Sequence, residues 1–154
     1  MNVRPVIEIQ GMEEVIRELR RRNLDVQAGL EAICHAGAHV VGTAAAGKAA
    51  AAVAAQIEQK TTAKRATRVE VSVGVLKMRR GKQLPLWLEF GTRRHRIPKA
   101  RKRGRKVLKI GDRYVRWVDH PGARARPWLR PAYDSSKGAA QAAMGVATKK
   151  ALRA

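Results

Sequence analysis

The 154-residue chain has one cysteine, Cys34, and aromatic side chains make up only 4% of it. A single thiol cannot close an internal disulfide, and a cysteine-rich zinc module is excluded. With so few aromatics, a core must be assembled mainly from Ala, Val, Leu and Ile, and a 45% hydrophobic content is enough to build one. No apolar run approaches the roughly 20 residues that a membrane-spanning helix needs. The most apolar stretch, His39 to Ala55, is mostly alanine and is interrupted by Lys48. No basic-then-apolar leader opens the sequence, so no secretory signal is expected. Negative charge is scarce as well: 12 Asp and Glu stand against 33 Lys and Arg, for a net charge of +21. What these absences leave is a small basic protein, expected to be soluble and intracellular. Its partners should be acidic, or its charge should be neutralised within an assembly.

The surplus is uneven. Met1 to Lys60 carries seven basic and seven acidic residues. Lys77 to Arg130 carries 19 basic residues against three acids (Glu89, Asp112, Asp119), a surplus of 16. The densest part is residues 93–106, with Arg93, Arg94, Arg96, Lys99, Arg101, Lys102, Arg103, Arg105 and Lys106. A run of like charge with little apolar surface to bury is expected to be a mobile insert loop. It would either grip phosphates or order against an acidic partner surface.

Hydrophobic periodicity orders the rest. Val3 to Ile9 reads as a short strand ended by Gly11. Met12, Val15, Ile16 and Leu19 fall at i, i+3, i+4, i+7, one face of a helix. A second helix is expected from Asn23 or Asp25, both good N-caps, through Leu30, Ile33, Val40 and Val41 and along an alanine tract to about Gln59. Thr61 to Thr67 reads as a polar linker. Val69, Val71, Val73 and Val75 then alternate with Glu70, Ser72 and Gly74, a half-buried strand. A basic loop over Leu76 to Gln83 precedes a second strand, Leu84 to Phe90. Val107 to Ile110 and Tyr114 to Val118 flank Gly111-Asp112 as a hairpin. Pro131 suits the first turn of a last helix running to about Leu152, with Tyr133, Ala140, Met144, Ala147 and Leu152 facing inward. The expected architecture over 1–154 is a single α+β domain: an antiparallel sheet, a long Ala-rich helix and a C-terminal helix packed on it, and the extended basic loop.

Chemistry is thinly represented. Gly42 to Lys48 has the spacing of a phosphate-binding loop, but Ala49 stands where a hydroxyl should hold magnesium, and the stretch sits in a helical tract. Glu31, His35 and His39 can share a helix face with Cys34 beside them, yet no further cluster completes a zinc site, and His95 and His120 are expected to be distant and isolated. Core or interface histidines are the better expectation. No nucleophile elbow is present, and Ser72, Ser135 and Ser136 have no suggestive neighbours. Neither catalysis, a metal nor a cofactor is expected. Trp87, Trp117 and Trp128 are expected to be packing anchors rather than base-stacking platforms.

Two segments carry a resemblance. They are Leu86-Trp87-Leu88-Glu89-Phe90-Gly91-Thr92 and His120-Pro121-Gly122-Ala-Arg-Ala-Arg-Pro127-Trp128-Leu129-Arg130-Pro131-Ala132. With the opening Ile7-Glu8-Ile9-Gln10-Gly11-Met12-Glu13-Glu14, the chain resembles the tail-completion, or head–tail joining, proteins of long-tailed bacteriophages, also described as minor tail components. The resemblance spans most of the chain in order. It implies a non-enzymatic morphogenesis protein of the virion neck or tail, assembled in the bacterial host cytoplasm. It also implies a homo-oligomeric ring, commonly sixfold, that meets a head–tail connector, a tail terminator or tail tube protein. The basic loop would face either the channel that carries packaged DNA or an acidic connector surface. Glu89, Gly91, Thr92 and His120 to Pro131 are then structural first and interface second. The alternative is a general nucleic-acid-binding basic protein.

Overall fold

In the computed structural model, residues 11–22, 25–77, 83–98 and 108–153 are described. The Val3 to Ile9 strand lies outside them, as do residues 78–82 of the Leu76 to Gln83 loop and residues 99–106 of the basic run. The chain forms two compact units, one from Met1–Gln83 with Trp128–Ala154 and one from Leu84–Pro127. Its class is α+β.

In the first unit, α1 spans Met12–Arg21 and buries Ile16 and Leu19, the face the periodicity predicts. Glu18 on this helix accepts hydrogen bonds from Arg21 at 2.7 and 2.8 Å and from Arg22 at 2.7 Å. These two guanidinium groups hold the Glu18 carboxyl down at about 2. Its contribution to folding is therefore complete above the ordinary carboxylate range and disappears only as pH falls through about 2. Arg22 also donates to the Leu152 carbonyl at 2.8 Å, tying α1 to the end of the last helix.

The long helix α2 covers Val26–Lys48. Asp25 caps it, accepting from the backbone N–H groups of Gln27 at 2.9 Å and Ala28 at 3.1 Å. Asp25→Ala should cost about 1 kcal/mol, read as a lower urea midpoint with an unchanged slope. The helix stops well before the expected Gln59. Gly47 weakens the last turn, and Ala49 and Ala50 adopt extended backbone, with ψ of 152° and 145°. A single turn, α3 (Ala51–Ala54), follows and buries Val53. Helix propensity thus loses to a tertiary demand: the chain must reverse to start a strand.

That strand, β1 (Glu58–Arg65), occupies most of the expected polar linker. It pairs antiparallel with β2 (Arg68–Gly74), from Glu58 opposite Gly74 to Arg65 opposite Arg68, with a register shift between Thr61 and Ala63. Polar side chains did not preclude the strand because Thr61 and Ala63 turn half-inward while Lys60, Thr62 and Lys64 stay exposed. Strand formation depends on the surface a residue packs against more than on its own preference.

The last helix, α5 (Leu129–Ala151), lies along α2, and both α2 and this sheet share the core. The contact between the helices is made of small residues. Gly37 and Ala38 on α2 are buried, as are Ala132, Ser136 and Ala140 at i, i+4, i+8 on α5. A Cβ at Gly37 would sit 2.6 Å from the Met144 sulfur, so a side chain there would require Met144 to move. Of the expected inward residues of α5, Ala140 and Met144 are buried, and Tyr133, Ala147 and Leu152 are half-buried.

The second unit begins with a correction. Leu84–Phe90 is a helix, α4, and not a strand. Its apolar residues do not alternate, Pro85 fits a first helical turn, and a short apolar run is ambiguous by periodicity alone. Next come β3 (His95–Pro98), β4 (Leu108–Ile110), β5 (Arg113–Val115) and β6 (Trp117–His120). β4 and β5 form the expected hairpin around Gly111-Asp112, with Gly111 at φ 57°. β6 does not extend that hairpin; it pairs antiparallel with β3. The start of the basic run is therefore ordered strand, a second correction, because Ile97 gains Val118 opposite it and Arg96 gains Asp119. Among the described residues the antiparallel pairing is divided into three two-stranded sheets.

Candidate functional site

The two segments that carry the resemblance are about 30 residues apart in sequence, and the second unit brings them together. Gly91 ends α4: its N–H donates to the Trp87 carbonyl at 2.8 Å, and its φ of 70° is the left-handed cap that favours glycine. Thr92 and Ala123 then exchange backbone hydrogen bonds at 2.9 and 3.1 Å. Ala123 N–H also donates to Thr92 Oγ1 at 2.9 Å. Arg126 N–H reaches the Leu88 carbonyl at 2.6 Å.

Both glycines are required by this closeness. A Cβ at Gly91 would lie 2.6 Å from the Ala123 carbonyl oxygen and 2.8 Å from the Ala125 nitrogen. One at Gly122, where φ is 94°, would collide with the Thr92 carbonyl oxygen. The two segments form a backbone clasp with a glycine on each side.

His120 braces the clasp. Its Nδ1 accepts the Gly122 N–H at 3.0 Å, so that nitrogen carries no proton. His95 stands opposite it in the ladder, and the two ring centroids are 5.1 Å apart. His95 Nδ1 lies 2.8 Å from the Arg93 carbonyl and must donate to it. These histidines, remote in sequence, are therefore neighbours in the fold, a pairing that sequence separation concealed.

One residue pair along, Arg96 donates to Asp119 at 3.0 Å, and its guanidinium lies 4.0 Å from the centre of the Trp117 ring. Sequence reasoning did not single out Asp119 or Ala123. The available signal was the pair of four-residue segments His95–Pro98 and Trp117–His120, which place His opposite His and Arg opposite Asp.

The second segment continues past the clasp. Pro121 is exposed and belongs with Gly122 to the turn. Pro127 closes the second unit, whereas Trp128, Leu129, Arg130 and Pro131 belong to the first. Trp128 is 4% exposed and anchors the start of α5, as expected. Trp87 and Trp117 are 45% and 49% exposed, which corrects their assignment as packing anchors. They join Leu84, Leu86, Phe90, Ile110 and Tyr114 as large apolar side chains open to solvent in this unit. Glu89 is half-buried in α4, and Arg93, Arg94 and Arg96 are exposed. Lys99, Arg101, Lys102, Arg103, Arg105 and Lys106 lie outside the described residues.

The other candidates resolve into structure. Gly42 to Lys48 forms the closing turns of α2, where backbone N–H groups are engaged in the helix and cannot cradle phosphate. Glu31 and His35 form a polar link to β1. Thr61 donates to Glu31 at 2.7 Å and lies 3.1 Å from His35 Nε2, and Lys64 donates to Glu31 at 2.8 Å. The Lys64 ammonium, and then the Thr61 hydroxyl, lower the Glu31 carboxyl. Burial raises the Cys34 thiol, which is 3.6 Å from the Val69 carbonyl, so it is a packed thiol and not an activated one. Ser135 and Ser136 bond back to the Ala132 carbonyl within α5. Among the described residues no three of His, Cys, Asp and Glu converge as metal ligands, and no helix is long and apolar enough to cross a membrane.

Compared with protein-family models, curated proteins and solved structures, the chain matches none.

Proposed function

We propose that this chain is a non-enzymatic morphogenesis protein of a long-tailed bacteriophage. In this proposal it acts at the head–tail junction as a tail-completion or neck protein, and its copies form a ring that joins the tail to the head connector. The observation that carries the proposal is the clasp. Of the segments on which the resemblance rests, Leu86 to Thr92 and the first part of His120 to Ala132 interlock through Gly91 and Gly122. A motif pair whose members set each other's backbone conformation behaves as a folding unit, which would explain why both motifs would occur together in a protein of that fold.

The exposed apolar side chains of the same unit support assembly. Leu84, Leu86, Trp87 and Phe90 are between 40% and 61% exposed on one short helix. Large apolar side chains exposed together are often covered by a partner, and a head-to-tail contact between identical copies forms a ring when the rotation between them closes. The chain would work by docking rather than by chemistry. Electron microscopy of particles made without it should show filled heads and finished tails lying apart. Normally joined particles in that preparation would refute the proposal.

A further inference from the structure

The clasp between Thr92 and Ala123 is fastened at one end by an imidazole, and that bond fixes the state of two rings. His120 Nδ1 accepts the Gly122 N–H at 3.0 Å. An imidazolium has no acceptor nitrogen, so only the neutral ring, with its proton on Nε2, makes this bond. Across the ladder, His95 Nδ1 lies 2.8 Å from the Arg93 carbonyl. A carbonyl only accepts, so His95 carries its proton on Nδ1. The two rings are 5.1 Å apart, centre to centre, and tilted by 30°. Opposite residues of an antiparallel pair share a face, and successive residues alternate. The rings therefore sit on the face of β3 and β6 that also carries Ile97 and Val118, both half-buried. Arg96 and Asp119 occupy the other face and bond to each other at 3.0 Å.

This setting disfavours positive charge on either ring. The charged side chains on the adjoining segments are Arg93, Arg94, Arg124 and Arg126 around the clasp, Arg96 and Asp119 in the ladder, and Glu89 on α4. Arg96 and Asp119 offset each other, which leaves those four cations against one carboxylate. A proton on His120 Nδ1 turns the acceptor of the Gly122 N–H into a donor, and the two N–H groups then oppose each other. A proton on His95 Nε2 leaves its bond to Arg93 intact but sets a second positive charge beside the first. Gly122 passes close against the Thr92 carbonyl, so a bond lost at His120 loosens the turn that the clasp depends on.

We infer that the His95–His120 pair makes the clasp a proton-sensitive fastening, closed while both rings are neutral and released when they are protonated. The sign comes from counting protons. The open clasp can take a proton on each ring, and the closed clasp cannot take the one on His120 without giving up its bond. The closed form thus binds fewer protons, so its stability is complete above the ordinary imidazole range, about 6.5, and is lost as pH falls below it. This device belongs to the single chain and holds whether or not copies join heads to tails.

The test uses the full chain, isotope-labelled, at pH 8 and pH 5. Proton–nitrogen correlation spectra of the rings read the tautomers: at pH 8, His120 should be protonated on Nε2 and His95 on Nδ1. Hydrogen exchange, corrected for the intrinsic pH dependence of amide exchange, reads the clasp. From pH 8 to pH 5 the Thr92, Gly122 and Ala123 amides should lose about tenfold or more in protection, since one excluded proton is worth up to about tenfold per pH unit below the imidazole range. Amides in the middle of α5 should not change. His120→Asn is the control, because its side-chain oxygen can accept the N–H two residues on, as in an Asx turn, and does not titrate. This variant should hold equal protection at both pH values, whereas His120→Ala should show low protection at both. Should asparagine not fasten the turn, the wild-type profile and the ring spectra still decide. A wild-type profile that is flat from pH 8 to pH 5 would overturn the inference. So would a fall in His120→Asn equal to that of wild type, or a His120 ring protonated on Nδ1 at pH 8.

Discussion

Gly122→Ala should unfasten the second unit while leaving the first folded. The cost has two parts. A non-glycine residue at a φ of 94° is strained by about 1–2 kcal/mol, and the new Cβ meets the Thr92 carbonyl, which is backbone and cannot swing away. Together the expected loss is on the order of 3 kcal/mol. It should also break the Gly122 N–H to His120 Nδ1 bond and the paired bonds between Thr92 and Ala123. Hydrogen exchange reads this directly. The Thr92 and Ala123 amides should lose most of their protection, and amides in the middle of α2 and α5 should keep theirs. Gly91→Ala should act alike, because its Cβ would press on the Ala123 carbonyl from the other side. Equal protection of the Thr92 and Ala123 amides in wild type and variant would show that the clasp does not hold the unit.

Ile33→Ala should cause the largest loss in the first unit. Ile33 is fully buried and stands on α2 between Leu30 and Gly37, within the row that faces the core. Truncation there removes buried methyl groups and leaves a cavity, for about 2–5 kcal/mol. The contact between α2 and α5 is built largely from Gly37, Ala38, Ala132 and Ala140, with Met144 as the long side chain buried there. The matched control is Val146→Ala on α5, where the side chain is 69% exposed and the change should stay within about 0.5 kcal/mol. Urea unfolding followed by far-ultraviolet circular dichroism measures both.

These effects also mark what could be read from residues alone. The helices α1, α2 and α5, the Asp25 cap, β2 and the Gly111-Asp112 hairpin follow from local rules: period, capping and turn chemistry. Each is decided within a few residues of itself. The errors fall where a distant segment decides. Ala49 and Ala50 are good helix formers that become extended because β1 must return against β2. Thr61 to Arg65 is polar and still a strand because β2 supplies its partner. Leu84 to Phe90 is apolar at nearly every position, so no period separates strand from helix, and the outcome depends on Gly91 being free to cap it. The candidate site was legible as two motifs but not as one clasp, since nothing in Thr92 or Ala123 alone announces the other. The His95–His120 pair was hidden for the same reason: only the pairing of β3 with β6 sets the two rings side by side.

The proposed role, a joint between two finished assemblies, is tested most directly by reconstitution. Heads and tails produced without the chain are separated, mixed with the purified protein and counted by electron microscopy. Joined particles should appear in proportion to added protein, and Gly122→Ala protein should yield few of them. Heads and tails that remain apart at every concentration of the wild-type chain, or that join equally well without it, would contradict the account.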